Sequence, residues 1–250
     1  MSWDNHRLLK SGLALALFAG FAGTALAGSI VVRSSGPSAK SYPPGKALAD
    51  NARITLRAGD QIVILDGRGT RTVKGPGTFD TASASVASGA TATARRILST
   101  QSTAERRGGA VRGTAPATVS TRNPNLWFVD LSQSATVCVA DPANVRLWRA
   151  DASADATATL TAANGRSAPV RLERNVNVVS WPAALLPVTD GAEYSISGLS
   201  LSPVKIKVAL LGPNPQGIEG TATALIQRGC NTQLDLLIET VAVPDSGTDG

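Results

Sequence analysis

Imidazole is almost missing from this chain. Of 250 residues only His6 is a histidine and only Met1 a methionine, and both precede the stretch that reads as mature protein. Their loss excludes Ser-His-Asp and Cys-His catalysis, His-ligated zinc and haem ligation through histidine from the mature chain. Cysteine is as scarce. Cys138 and Cys230 are too few thiols for a metal site and lack the Cys-x-x-Cys spacing of a redox centre. Aromatics make up 4% and charged residues 17%, and after Arg33 no apolar run is long enough for a helix to cross a bilayer. No Gly-x-Ser-x-Gly elbow, calcium loop or phosphate-binding glycine loop occurs, so no cofactor and no catalytic residues are expected.

The first 27 residues have the form of an export signal, with Arg7 and Lys10 near the start, apolar residues from Leu13 and Ala25-Leu26-Ala27 as a small-x-small cleavage site. The mature chain is expected to begin near Gly28, in the periplasm or at the cell surface. The competing reading is an uncleaved anchor in the inner membrane, because no charge falls between Lys10 and Arg33. Gly12, Gly20, Gly23 and Thr24 weaken that span and favour cleavage. In an oxidising compartment Cys138 and Cys230 default to a disulfide. Closing so long a loop contributes about 4 to 5 kcal/mol in the chain-entropy model.

Abundant Gly, Ala, Ser and Thr and short alternating runs predict a mainly β fold: a small β-meander domain and an antiparallel β-sandwich-like domain ending in two short helices. In the meander, Ile54 and Leu56 alternate with Thr55 and Arg57, Gly59-Asp60 turns the chain, and Ile62 to Leu65 forms the next strand. Tyr42 to Phe79 resembles the FecR-type periplasmic domain at Gly45, Leu48, Ile54, Leu56, Gly59, Asp60, Gly67, Val73 and Gly75 to Gly77. The resemblance extends over residues 28–80 and implies a β-rich envelope module used in signalling or as a scaffold, without catalysis.

Residues 81–124 form a linker rich in Ala, Ser, Thr, Gly and Arg, with one short helix expected over Ala92 to Leu98. Arg95, Arg96, Arg106, Arg107, Arg112 and Arg122 face the single acid Glu105, a net of +5. Without Arg7, Lys10 and Asp4 the mature chain holds 22 basic and 17 acidic residues, also +5, so the linker accounts for the whole excess. Residues 125–243 then show seven or eight strand-length runs separated by turns such as Asp141-Pro142, Asn164-Gly165 and Asp190-Gly191. Ile218, Ala222, Leu225 and Ile226 fall at helical spacing with Gly229 as C-cap. Asn231 is expected to cap a second helix bearing Leu234, Leu237, Ile238 and Val241. A Cys138–Cys230 bond would staple this pair to the strand Ala135 to Ala140, and residues 244–250 are expected to be a disordered tail.

Three groups of residues offer sites. Arg106, Arg107 and Arg112 in the linker suit an anionic lipid or envelope polymer, or act only as a solvated charge; export argues against nucleic acid. Among Trp127, Trp148, Trp181 and Tyr194, alternation in NVRLWRA sets Arg146 and Trp148 on the face opposite Val145 and Leu147, which makes Trp148 the exposed candidate for stacking on a sugar. The bland alternative is that all four complete β cores. Asp60 with Asp66, Asp151 with Asp155, and Asp190 with Glu193 are pairs that turn chemistry explains without catalysis. The expected function is that of a non-enzymatic exported envelope protein that binds an envelope protein or polysaccharide in sensing or scaffolding. The alternative is a carbohydrate- or envelope-polymer-binding module using Trp148 and the arginines, and an outsider is a carboxylate-dependent envelope hydrolase. N-terminal sequencing of the exported protein should give Gly28 as its first residue; recovery of an intact N-terminus in the membrane fraction would make it an anchored protein.

Overall fold

The computed structural model describes residues 28–67, 69–81, 97–98, 122–212, 215 and 217–242. The export signal, most of the linker, including Arg106, Arg107 and Arg112, and the terminal tail lie outside the described residues. The chain is mainly β.

In the N-terminal unit β1 (Ser29–Ser35) lies between β2 (Ala47–Leu48) and β4 (Gln61–Asp66), and β5 (Gly69–Lys74) completes an antiparallel sheet of four. β3 (Arg53–Leu56) does not join it. It pairs antiparallel with β6 (Gly77–Asp80) in a separate two-stranded ribbon, so the expected meander is replaced by one hairpin, β4–β5, bracketed by β3 and β6. The cause is the corner at Asp60. Its carboxylate accepts from the Ser38 N–H (2.8 Å) and the Arg57 N–H (2.5 Å), while its carbonyl accepts from the Gly75 N–H (2.9 Å). Three loops therefore meet at one buried residue, and the strand entering the corner leaves in a different sheet. Gly75 permits the approach, since a Cβ there would lie 2.1 Å from the Arg57 carbonyl oxygen.

The C-terminal unit is a two-layer sandwich. One layer has the order β11 (Ser167–Leu172), β10 (Ala156–Ala162), β13 (Glu193–Ser197), β14 (Val204–Leu210), β8 (Ala135–Val139); the other has β12 (Val178–Ser180), β9 (Arg146–Trp148), β7 (Phe128–Asp130). Most pairs are antiparallel, as the turns predicted, but β7–β9 and β14–β8 are parallel. β8 lies in the opposite layer between β7 and β9, so the chain returns at β9 to the layer of β7 running the same way. Leu147, Leu160, Leu172, Ile196 and Ile206 fill the interior, each worth about 1.5 to 3 kcal/mol relative to exposure. Trp181 meets Tyr194 edge-on at 4.8 Å, and the two donate to the Leu186 and Pro187 carbonyls at 2.7 and 2.5 Å, which pins the loop between them. Burial pushes the Tyr194 hydroxyl above its ordinary 10.0.

The helices α1 (Gly217–Arg228) and α2 (Asn231–Thr240) form where the apolar spacing places them. Gly229, at φ +71°, closes α1, with the Cys230 N–H donating to the Leu225 carbonyl. Asn231 does not cap α2. Cys230 occupies that position, held by the disulfide to Cys138, and no side chain caps the helix. The pair does more than end the sandwich: Leu225, Leu234, Leu237 and Ile238 share one apolar core with Ile30, Val32, Val63 and Leu65 of the first unit and with Leu126, Trp127 and Ala209 of the second. Thr70 ties the end of α2 to the β4–β5 sheet, donating from its N–H to Val241 (3.0 Å) and from its hydroxyl to Ile238 (3.1 Å). The expected linker helix is represented by Ile97 and Leu98, which are helical and dock on this core: their carbonyls accept from the Leu126 N–H and the Trp127 indole.

Gln233 closes the structure at the outer edge of β8. Its amide nitrogen donates to the Leu126 and Cys138 carbonyls (2.8 and 2.9 Å) and its oxygen accepts from the Cys138 N–H (2.6 Å). One side chain thus does for β8 what a neighbouring strand would do. Replacing it with Leu leaves three buried backbone groups without partners, so Gln233→Leu should lower unfolding stability by about 3 kcal/mol in urea titration. A loss below about 1 kcal/mol would show that water takes over these bonds.

Candidate functional site

α2 is walled on both sides by clefts. Toward β1 a cleft of about 550 Å³ includes Arg33, Ser34, Gln61, Asn231 and Asp235, with the Arg33–Asp235 ion pair lining it. Both partners are about half exposed, so the pair contributes less than about 1 kcal/mol. Toward the small sheet a second cleft of about 730 Å³ is lined by Arg122, Asp130, Gln133, Trp148, Thr232 and Glu239, and Asp235 borders both. Arg122 and Glu239 pair at 3.0 Å. Asp130 accepts from the Ser132 N–H and hydroxyl (2.8 and 2.6 Å) and from Gln133 (3.0 Å), so its carboxylate is held in place.

Alternation placed Arg146 and Trp148 correctly on the face of β9 away from the sandwich core, but that face is not open solvent for Trp148. The ring is 3% exposed, which rules out the stacking platform expected of it. A period of two says which side chains share a face and nothing of what lies across it; here α2 contributes Thr232, Leu236 and Glu239 to the cleft that Trp148 lines. Arg146 donates to the Ser180 hydroxyl at 2.7 Å across the β9–β12 pair. Trp127, Trp181 and Tyr194 are buried, as the bland reading has it. Cys138 and Cys230 form the expected disulfide, with Cα atoms 5.8 Å apart.

Four of the paired carboxylates have local partners. Asp151 accepts from the Ser153 N–H (2.8 Å), and hydrogen bonds from Ser153 hold it below the ordinary carboxylate value of 3.8. Asp155 accepts from the Arg174 N–H (2.7 Å), Asp190 from the Leu210 N–H (2.7 Å) while facing Arg228 (3.6 Å), and Glu193 lies 3.8 Å from Lys207. Each is thus engaged locally. Arg149, buried at the end of β9, likewise donates to the Ala154, Glu173 and Val176 carbonyls and knits three loop segments together.

Sequence reasoning missed Gln233, Asp130, Gln133 and the Arg122–Glu239 pair. Gln233 had a signal, since it lies in the apolar stripe of Leu234, Leu237 and Val241, where a polar side chain must find partners. The others come together only through folding. Comparison with protein-family models, curated proteins and solved structures finds no match for this chain.

At Asp60 burial pushes the carboxyl upward, but bonds from Ser38 and Arg57 and the Arg57 charge outweigh it, and the group sits below 3.8. A depressed folded-state value stabilises the protein above the unfolded-state value near 4 and is lost as pH falls through the folded-state value. The stability advantage of wild type over Asp60→Asn should therefore be constant above about pH 5 and shrink toward pH 2 in urea titrations. An advantage independent of pH would remove the carboxylate charge from this account.

Proposed function

We propose that the protein is a non-enzymatic, exported envelope protein that works by holding a partner protein in sensing or scaffolding. The observation that carries this reading is the apolar core that the helical wedge shares with both β units, closed by the Cys138–Cys230 bond. Two β modules fixed by shared core and disulfide present their loops and sheet faces at set positions, which suits recognition of a large surface. The likeness of residues 42–79 to FecR-type modules points the same way, toward signalling or scaffolding. The disulfide accords with an oxidising compartment outside the cytoplasm.

Crosslinking in intact cells, followed by mass spectrometry of the adducts, should yield a discrete protein attached to this chain, and Trp148→Phe should leave that adduct unchanged. Turnover of an envelope polysaccharide by the purified protein would overturn the non-enzymatic reading.

A further inference from the structure

We propose that the outer face of the β11–β10–β13–β14–β8 sheet binds an acidic, uronate-bearing polysaccharide, with Arg171, Lys205 and Lys207 drawing its carboxylates and the hydroxyls between them bonding its sugar rings. Alternation assigns this face. Leu160, Val170, Ile196 and Ile206 point into the sandwich core, and the residues between them point out. The helix pair covers the outer face at Cys138 and Ala209, whereas Thr157, Arg171, Glu193, Ser197, Lys205 and Lys207 are exposed. Register gathers the polar groups. Thr161, Ser195 and Lys205 stand in one row across three strands, and the Lys205 N–H donates to the Ser134 hydroxyl at 2.9 Å where the row ends. Glu193 and Lys207 form the next row, 3.8 Å apart. These side chains line a recess of about 500 Å³, within the range of small-ligand clefts.

Charge and composition choose the ligand. Arg171, Lys205 and Lys207 stand against Glu193, a net of +2 on the face. Lys205 has no carboxylate partner among the described residues, and the Lys207–Glu193 pair is more than half exposed, so it holds its ammonium weakly. Anions are therefore drawn to the face. Pro169 is the one apolar side chain among the exposed outward residues of these strands. That leaves no aliphatic group to enter a bilayer, and no aromatic anchor to seat a protein or stack a base. Serine and threonine hydroxyls both donate and accept, as sugar hydroxyls do. The Arg-rich linker has the same sign of charge and is a poor occupant. This face is separate from the protein contact proposed above, and either can fail while the other stands.

The test is amide NMR on the full exported chain, titrated with a galacturonate pentamer and, as the neutral control, an N-acetylglucosamine pentamer. The amides of Thr161, Ser195 and Lys205 should shift saturably with galacturonate and stay in place with the neutral sugar. Affinity should drop about tenfold when Lys205→Gln and Lys207→Gln are combined, and stay unchanged in Lys40→Gln, which removes an exposed cation from the other β unit. Both lysines of the face are exposed, so an unchanged urea midpoint should accompany the loss. No saturable shift up to about 10 mM galacturonate would overturn the proposal, as would shifts confined to the linker, equal binding of the neutral sugar, or an affinity the double variant leaves intact. Cosedimentation with phosphatidylglycerol vesicles that the double variant abolishes would make a lipid headgroup the ligand and overturn the saccharide.

Discussion

The structure depends on satisfying one strand edge. β8 pairs with β14 on one side only, and its other side turns toward the helices, where no strand follows. Cys138 lies on that edge, one residue from the end of β8. Its backbone N–H and C=O are taken by Gln233, and its sulfur is bonded to Cys230 immediately before α2. A buried edge left unpaired would cost more than either helix gains from its own hydrogen bonds, so α2 is fixed in place by the need of β8 for partners.

Once α2 is placed, the rest follows from packing. The apolar faces of the helix pair need cover, and the first β unit supplies it, with α1 against β1 and β4 and α2 against β5. The last turn of α2 and the residues after it then reach β5, where Val241 and Ile238 accept from Thr70. The surface ion pairs Arg33–Asp235, Arg122–Glu239 and Arg228–Asp190 join the helices to both units, but each is about half exposed and adds little beside the buried Leu237 and Leu225. Shared core, not charge, makes the two modules one body.

That placement also creates the clefts. The spaces left on either side of α2 are lined largely by polar side chains, Arg33, Ser34, Gln61 and Asn231 in one and Arg122, Asp130, Gln133 and Glu239 in the other. Each cleft borders a residue with a buried polar atom that has no partner, Ser34 in one and Trp148 in the other, and the carboxylates of the cleft beside Trp148 separate it in chemistry from the basic linker.

The sequence by itself determined the β-rich class, the turns at Asn164-Gly165 and Asp190-Gly191, the two helices and the Gly229 stop, because these rest on periodicity and on residues whose backbone preferences are local. Pairing the only two cysteines was equally legible. Tertiary structure alone decided that β3 joins β6, that β7 and β9 run parallel, and that the outward face of β9 is covered. Alternation sorts side chains into two faces without naming what each face meets, and partners far apart in the chain, such as Gln233 with Cys138 or Trp148 with α2, are chosen only when the sheets stack. For that reason the expected exposed tryptophan became a buried one, and the candidate site formed from residues that no local pattern could group.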